Sequence, residues 1–410
     1  ADPRGTLQAE FAEEGRFRAD YFFSGPLGSD SSDTFYALSG YYRTDEGPLD
    51  SGLDTRGFQV RGNIKHNFSD GSGNITVYGQ AIDDSVQFFL PLPVDGVSRE
   101  RVNGNDGGEV FTMNTVEATG LSYDTPDGRF TTPIGDGVVT RGNMIAAVLD
   151  KDLGDEWTLN AKVRYARYDH QFNLFLDGDA QGPNTPETLT EYLDNRGVPT
   201  ALQAGAAFNF VQSGQAVPDN FLLFGNRTLD RWRDATDFSG EVSLARNLTI
   251  GSSEHSITIG GFFSDSNADD LNYITTYLGD FRNAPQLVDV TLAGVTEDAD
   301  GNLVAGAPED VYAWTQNGLA VTNGLVGDRT RGAKRIAFYI ADQIEAGRWS
   351  FDGGIRVERY DGRVEQRNTA SFQMSDDPQV NNLIENVSFT DGSLTSGTVD
   401  TTEWALSAGA

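Results

Sequence analysis

The sequence predicts an all-β chain, an antiparallel transmembrane β-barrel with short turns at one end and long loops at the other. Three observations predict it. First, segments of about ten residues alternate apolar and polar side chains, and a period of two puts the two kinds on opposite faces of a strand. Second, short connections alternate strictly with connections that become very long. Structureless loops beyond about 12–15 residues are uncommon in compact soluble domains, whereas membrane barrels pair short turns with long outer loops. Third, no apolar run reaches the roughly 18 residues of a transmembrane helix.

Composition narrows the function classes. The 410 residues carry 61 Asp and Glu against 30 Lys and Arg, a formal charge of −31. That balance argues against a nucleic-acid partner, because phosphate backbones need cations. Cysteine is absent, which removes disulfides, thiolate metal sites and cysteine nucleophiles. The 47 glycines and the 11% aromatic content fit strands that pack closely between aromatic girdles. Ala1-Asp2-Pro3-Arg4 lacks the charged and apolar regions of a secretory signal, so the chain reads as a mature or excised piece.

Twelve strands are expected. The first five are Thr6–Ala12, Phe17–Pro26, Thr34–Arg43, Gly57–Phe68 and Ile75–Asp83. The fourth alternates Phe58, Val60, Gly62 and Ile64 with Gln59, Arg61, Asn63 and Lys65. A long irregular segment, Asp84–Asp136, precedes the sixth, Arg141–Leu149. The seventh, Trp157–Phe172, is the cleanest, with Trp157, Leu159, Ala161, Val163 and Tyr165 on one face. A second long segment, Asp177–Asp234, leads to the eighth and ninth, Phe238–Arg246 and Ser256–Asp265. A third, Asn267–Gly332, leads to a hairpin over Arg335–Tyr360; a fourth, Glu365–Val399, precedes the last strand, Thr402–Ala408.

The hairpin is the clearest piece of the pattern. Trp349, Phe351, Gly353, Ile355 and Val357 alternate with polar residues, as do Ile336, Phe338 and Ile340 with Ala337, Tyr339 and Ala341. Each arm is long enough for a tilted strand to cross a bilayer, which takes about 9–11 residues. Asp342 falls on the apolar phase, so the end of its arm is expected outside the membrane or at a bulge.

Asp342-Gln343 and Gly354-Ile355-Arg356 resemble the "DQ … GxRY" hairpin of TonB-dependent receptors, the outer-membrane barrels of Gram-negative bacteria. Asp2-Pro3-Arg4-Gly5 resembles the end of their plug domain, and Phe23-Ser24-Gly25-Pro26-Leu27 the "SGPL" closing their second strand. The resemblance covers the whole chain. It implies about 22 strands around a plugged lumen, of which residues 1–410 would be the N-terminal half, without plug or signal peptide. It also implies TonB-energised import of a bulky nutrient, a ferric siderophore or a carbohydrate, in contact with outer-membrane lipid and lipopolysaccharide. A passive porin-like channel and a secreted calcium-dependent binding module are the alternatives.

No catalytic constellation is found, and no cofactor is implied. His66, His170 and His255 lie apart in the sequence, and nucleophile-elbow and phosphate-loop patterns are absent. Asp298, Asp300 and Asn302 resemble the start of a calcium loop, but the later bidentate acid is misplaced. Most of the negative charge lies in the four long segments. It reads either as a solvated rim or as a funnel that favours neutral or cationic ligands. Aromatics recur in those segments, and Phe88, Phe89, Phe221, Phe224, Trp232, Tyr273, Tyr277 and Trp314 are the ligand-binding candidates. Phe88-Phe89-Leu90-Pro91-Leu92-Pro93 is the most apolar loop stretch.

Overall fold

The computed structural model describes the chain except residues 1, 14, 29–31, 48, 50, 90–93, 95, 102–111 and 283–284. Twelve strands follow one another as an antiparallel meander. They are β1 (Arg4–Phe11), β2 (Phe17–Pro26), β3 (Thr34–Asp45), β4 (Thr55–Asn67), β5 (Gly73–Val86), β6 (Val138–Gly154), β7 (Trp157–Phe172), β8 (Leu223–Ile250), β9 (Ser253–Asp280), β10 (Leu319–Ala346), β11 (Trp349–Gln373) and β12 (Asn386–Gly409). Each pairs with its sequence neighbours. Among the described residues β1 and β12 are not paired with each other.

The register carries the alternation across the sheet. Leu244, Ile259, Ile340, Ile355 and Leu406 stand in one row on one face. That face is apolar and exposed: Val242 is 54% and Phe338 64% accessible. So much contiguous exposed hydrocarbon needs lipid against it. The opposite face holds polar pairs: Arg43 with Asp84 at 2.9 Å, Tyr339 donating to Glu241 at 2.8 Å, and Arg356 with Glu358 at 2.7 Å. It is the inner face in a barrel. Glycine makes room for two rings: Tyr339 lies over Gly260 on the inner face, and Phe263 over Gly240 on the outer one. Any Cβ there would collide with the ring.

Aromatic side chains collect at both rims of the apolar band. Phe11, Phe17 and Tyr42 lie together at the loop end. Trp157, Trp349 and Phe351 lie at the turn end, where the last two stack at 6.3 Å. The turns there are tight. Asp155 and Glu156 both take positive φ, 50° and 65°, the twist that two-residue hairpins need. Asp342 breaks the apolar phase without a bulge. Its strand pairing is continuous, and its Oδ2 lies 2.8 Å from His255 Nδ1 on the same face.

Strands β8–β12 run well beyond the segments predicted by periodicity. In β9 the band ends at Phe263, yet the strand continues to Asp280, about 55 Å further at the usual rise. The third and fourth long segments therefore shrink to residues 281–318 and 374–385. The paired ends of β8 and β9 are covered on both faces. Leu223 and Leu278 enter a core with Tyr192, Leu193, Phe208, Val290, Leu292 and Tyr312 from the connections 173–222 and 281–318. Tyr277, on the opposite face, packs with Phe175, Leu121 and Ile134. The connections thus build a folded cap, with a three-stranded sheet of Ala206–Phe210, Val288–Ala293 and Val311–Ala313. Its helix Leu189–Asn195 starts at a capping box between Thr188 and Glu191.

The two faces predict opposite tolerance. Val242→Arg, on the outer face, should cost about 2–4 kcal/mol when the protein is folded into lipid vesicles and titrated with urea. Thr258→Arg, on the inner face, should cost less than about 1 kcal/mol in the same titration.

Candidate functional site

The inner face holds a cavity of about 770 Å³ across β7–β12, level with the upper edge of the apolar band. Small side chains hollow it out. Ala235, Ala268, Arg331, Val364 and Gly397 stand in one row, with Ala333 and Gly362 in the row beside it. Arg164, Tyr168, Arg331 and Tyr360 line its edge. Its size falls within the roughly 300–1,000 Å³ of small-molecule sites.

The electrostatics of this wall differ from those of the chain as a whole. Above the band, Arg231, Arg233, Arg329 and Arg331 share the inner face with two carboxylates, Asp270 and, at the cavity, Asp237, which pairs with Arg164 at 3.2 Å. Asp270 is nearly buried and accepts two bonds from Arg231, at 2.6 and 2.7 Å, and one from Arg233 at 2.8 Å. Arg329 donates to Gln366. Arg331 is exposed, and among the described residues it makes no ion pair. Asp234, Asp265, Asp269, Asp328 and Asp400 stand on the outer face instead. Period two leaves an arginine surplus on the inner face, while the outer carboxylates are met in part by Arg359 with Asp400 and Arg367 with Asp328. Of the two readings of the acidic segments, the inner wall does not present the funnel.

The candidate aromatics divide into separate groups. Trp232 and Tyr273 meet 6.0 Å apart, edge to face, and Phe130 stacks on Tyr273 at 4.6 Å. Tyr123 joins this group through Phe130. Phe224 and Tyr277 are buried in the cap, packed on Phe281 and Phe175. Phe221 carries the Arg282 guanidinium over its ring at 4.2 Å. Trp314 packs against the cap core beside Tyr312. Phe88 is exposed near Phe172, and Phe89 faces Gly47. Leu90–Pro93 and Phe111 lie outside the described residues.

Asp298 closes its own turn. Its Oδ1 accepts the backbone N–H of Asp300 and of Asn302, both at 2.9 Å, so its oxygens already serve the chain. The N–H of Asn302 is the main reason its carboxyl sits below the usual range. No group of three His, Cys, Asp or Glu able to hold a metal occurs among the described residues.

One buried ionic cluster ties together two parts of the cap connection 173–222. Arg196 is 5% exposed, pairs with Asp179 and with Glu187, and lies 3.7 Å over the Tyr192 ring. Burial pushes the Asp179 carboxyl up. The Arg196 guanidinium and the backbone N–H groups of Gly182 and Gln181 reverse that and leave it below its ordinary value.

With this geometry in hand, comparison with solved structures is informative. The siderophore receptor PiuA from Acinetobacter baumannii aligns over 99% of this chain and 46% of its own, with 13% identity and a TM-score of 0.52. The ferric citrate transporter FecA aligns over 99% and 40%, with 12% identity and a TM-score of 0.51. The fold is that of a transmembrane β-barrel. The open form of the ferric-catecholate import receptor Fiu from E. coli K12 aligns over 99% and 51%, with 13% identity and a TM-score of 0.50. The chain spans about half the length of these receptors and transporters. No family model matches the chain, and no curated protein matches it in sequence.

The cavity edge was not among the sequence candidates. Tyr168 and Arg164 sit on the polar phase of the cleanest strand, so the alternation of Trp157–Phe172 already turned them inward. Arg331 was counted as loop. For the cap, Arg196→Ala would leave Asp179 and Glu187 buried without their cation. It should destabilise the cap by about 3–5 kcal/mol, seen as lost amide-exchange protection over residues 179–196 with the band strands unchanged.

Proposed function

We propose that this chain is part of the barrel of a TonB-dependent outer-membrane receptor of a Gram-negative bacterium, importing a bulky anionic chelate of the ferric-siderophore class. The observation that carries the ligand charge is the arginine-rich inner wall around the 770 Å³ cavity. Even with Asp237 and Asp270 on it, a low-dielectric wall with a surplus of positive charge concentrates ligands of the other sign. The fold, the hairpin of Asp342 and Gly354-Ile355-Arg356, and the named ligands of the structurally similar receptors support the same reading. The acidic outer face suits a surface bathed in divalent cations and lipopolysaccharide. The unpaired edges of β1 and β12 suit a barrel completed by further strands, with a plug in the lumen and the TonB complex as its energy source.

The test is uptake by the full-length receptor in cells lacking other iron-chelate importers, with labelled ferric chelates of graded charge and a neutral oligosaccharide. Arg164→Ala combined with Arg331→Ala should raise the half-saturating concentration of an anionic chelate about tenfold, as expected for loss of about 1.4 kcal/mol of binding. Uptake indifferent to ligand charge, or preference for the oligosaccharide, would reject the anionic ligand. Conductance without an energised membrane would identify a passive channel instead.

A further inference from the structure

Asp230 is a carboxyl with no exposed surface and no cation beside it. It sits on β8, on the face that carries Trp232, beneath the connection between β5 and β6. Thr132 of that connection donates to its Oδ2 at 2.7 Å, and Thr228 of its own strand donates at 3.2 Å. Oδ1 is buried without a partner, as are the hydroxyls of Tyr123 and Thr275. Thr275 stands opposite Thr228 on β9, and Tyr273 stands opposite Asp230. Tyr123 faces it from the hairpin Ser122–Thr125 and Gly128–Thr131. Tyr123 and Tyr273 are thus the titratable groups around it, and neither supplies positive charge. Arg231 and Arg233, its sequence neighbours, point to the other face and are taken by Asp270. Asp328 on β10 is paired with Arg367.

An ionised carboxylate in that position would be a buried charge without a counter-charge, far more costly than a buried neutral acid. The segment 112–136 that covers Asp230 is also held by Leu121 and Ile134 against Phe175 and Tyr277, by Phe130 against Tyr273, by Met113 against Phe224 and Phe281, by Tyr123 against Leu319 and Val387, and by Glu117, which accepts the N–H of Leu287 at 2.7 Å. We propose that Asp230 is a proton-operated latch: with a proton bound, it holds segment 112–136 on the β8–β9 hairpin, and on losing the proton it releases that segment. Burial pushes the Asp230 carboxyl up to about 7, opposed by the bonds from Thr132 and Thr228. The ordinary value is 3.8. The docked state therefore binds the proton more tightly than the released state. Its advantage is complete below the ordinary value, declines as pH rises towards 7, and is absent above it.

The experiment is amide exchange of the full-length protein in detergent micelles between pH 5 and 8, corrected for the intrinsic pH dependence of exchange. Protection of residues 112–136 should fall about 100-fold between pH 5 and 7 and then level off, one decade per unit, while strands in the apolar band stay unchanged. Asp230→Asn keeps an acceptor for Thr132 and removes its titration, so the decade-per-unit fall between pH 5 and 7 should vanish, leaving only the contribution of Glu117, which is removed in turn by Glu117→Gln. Thr132→Val should lower protection at pH 5 towards the value at pH 8. A flat profile in the unaltered protein, or a decade-per-unit fall that persists in Asp230→Asn, would overturn the latch. So would protection that follows added sodium or calcium at constant pH, which would mean that a cation occupies the oxygens instead.

Discussion

The constraint on which everything else depends is that hydrocarbon offers the backbone no hydrogen bonds. Each strand inside the apolar band must give its N–H and C=O groups to its neighbours. The antiparallel ladder from β1 to β12 does this with few register shifts. Side chains then have two directions only, and the chain uses them for opposite purposes. One face solvates itself in lipid, and the other is free to carry arginine, tyrosine and glutamate at membrane depth.

That division outlasts the membrane. Strands β8–β12 keep the register for a stretch above the band, up to Asn272 in β9 and Arg367 in β11, so the two-sided arrangement persists where no lipid enforces it. The inner face keeps a surplus of arginine over Asp237 and Asp270, while carboxylates prevail on the outer one. A chain of net charge −31 can thereby present a basic wall to whatever enters it. Net charge describes the molecule seen from afar, while register describes the surface that a ligand meets.

The legible part of the fold was the part under the strongest physical demand. Phe238–Arg246, Ser256–Asp265 and the hairpin arms were visible because lipid on one side and water on the other force strict alternation. The extensions were not visible for a local reason. In β9 the stretch from Ser266 to Asn272 is mostly polar on both phases, and from Thr275 both faces are covered by the cap, Tyr277 on one side and Leu278 on the other, so the period disappears. The aromatic candidates failed to separate for a related reason. Phe224 and Tyr277 have the side chains of a ligand site and of a core, and only burial distinguishes the two. Arg331 was hidden because charge summed along a segment erases the face on which each charge stands.

The β8–β9 hairpin pairs without a shift from Ile250 and Ser253 to Leu223 and Asp280. The neighbouring seam between β9 and β10 slips between Asn272 and Tyr273 and again on either side of Thr276. Mechanically, the cap rests on a cantilever rooted in the wall, with compliance concentrated along one flank near the tip. A force on the cap would travel down β8 and β9 as on a single plate, reaching the level of Arg164 and Asp237 without passing through a hinge. The irregular seam is bridged from above, where Ala313 and Glu297 of the cap exchange backbone bonds with residues 378–381 between β11 and β12, so part of the load also passes to those strands.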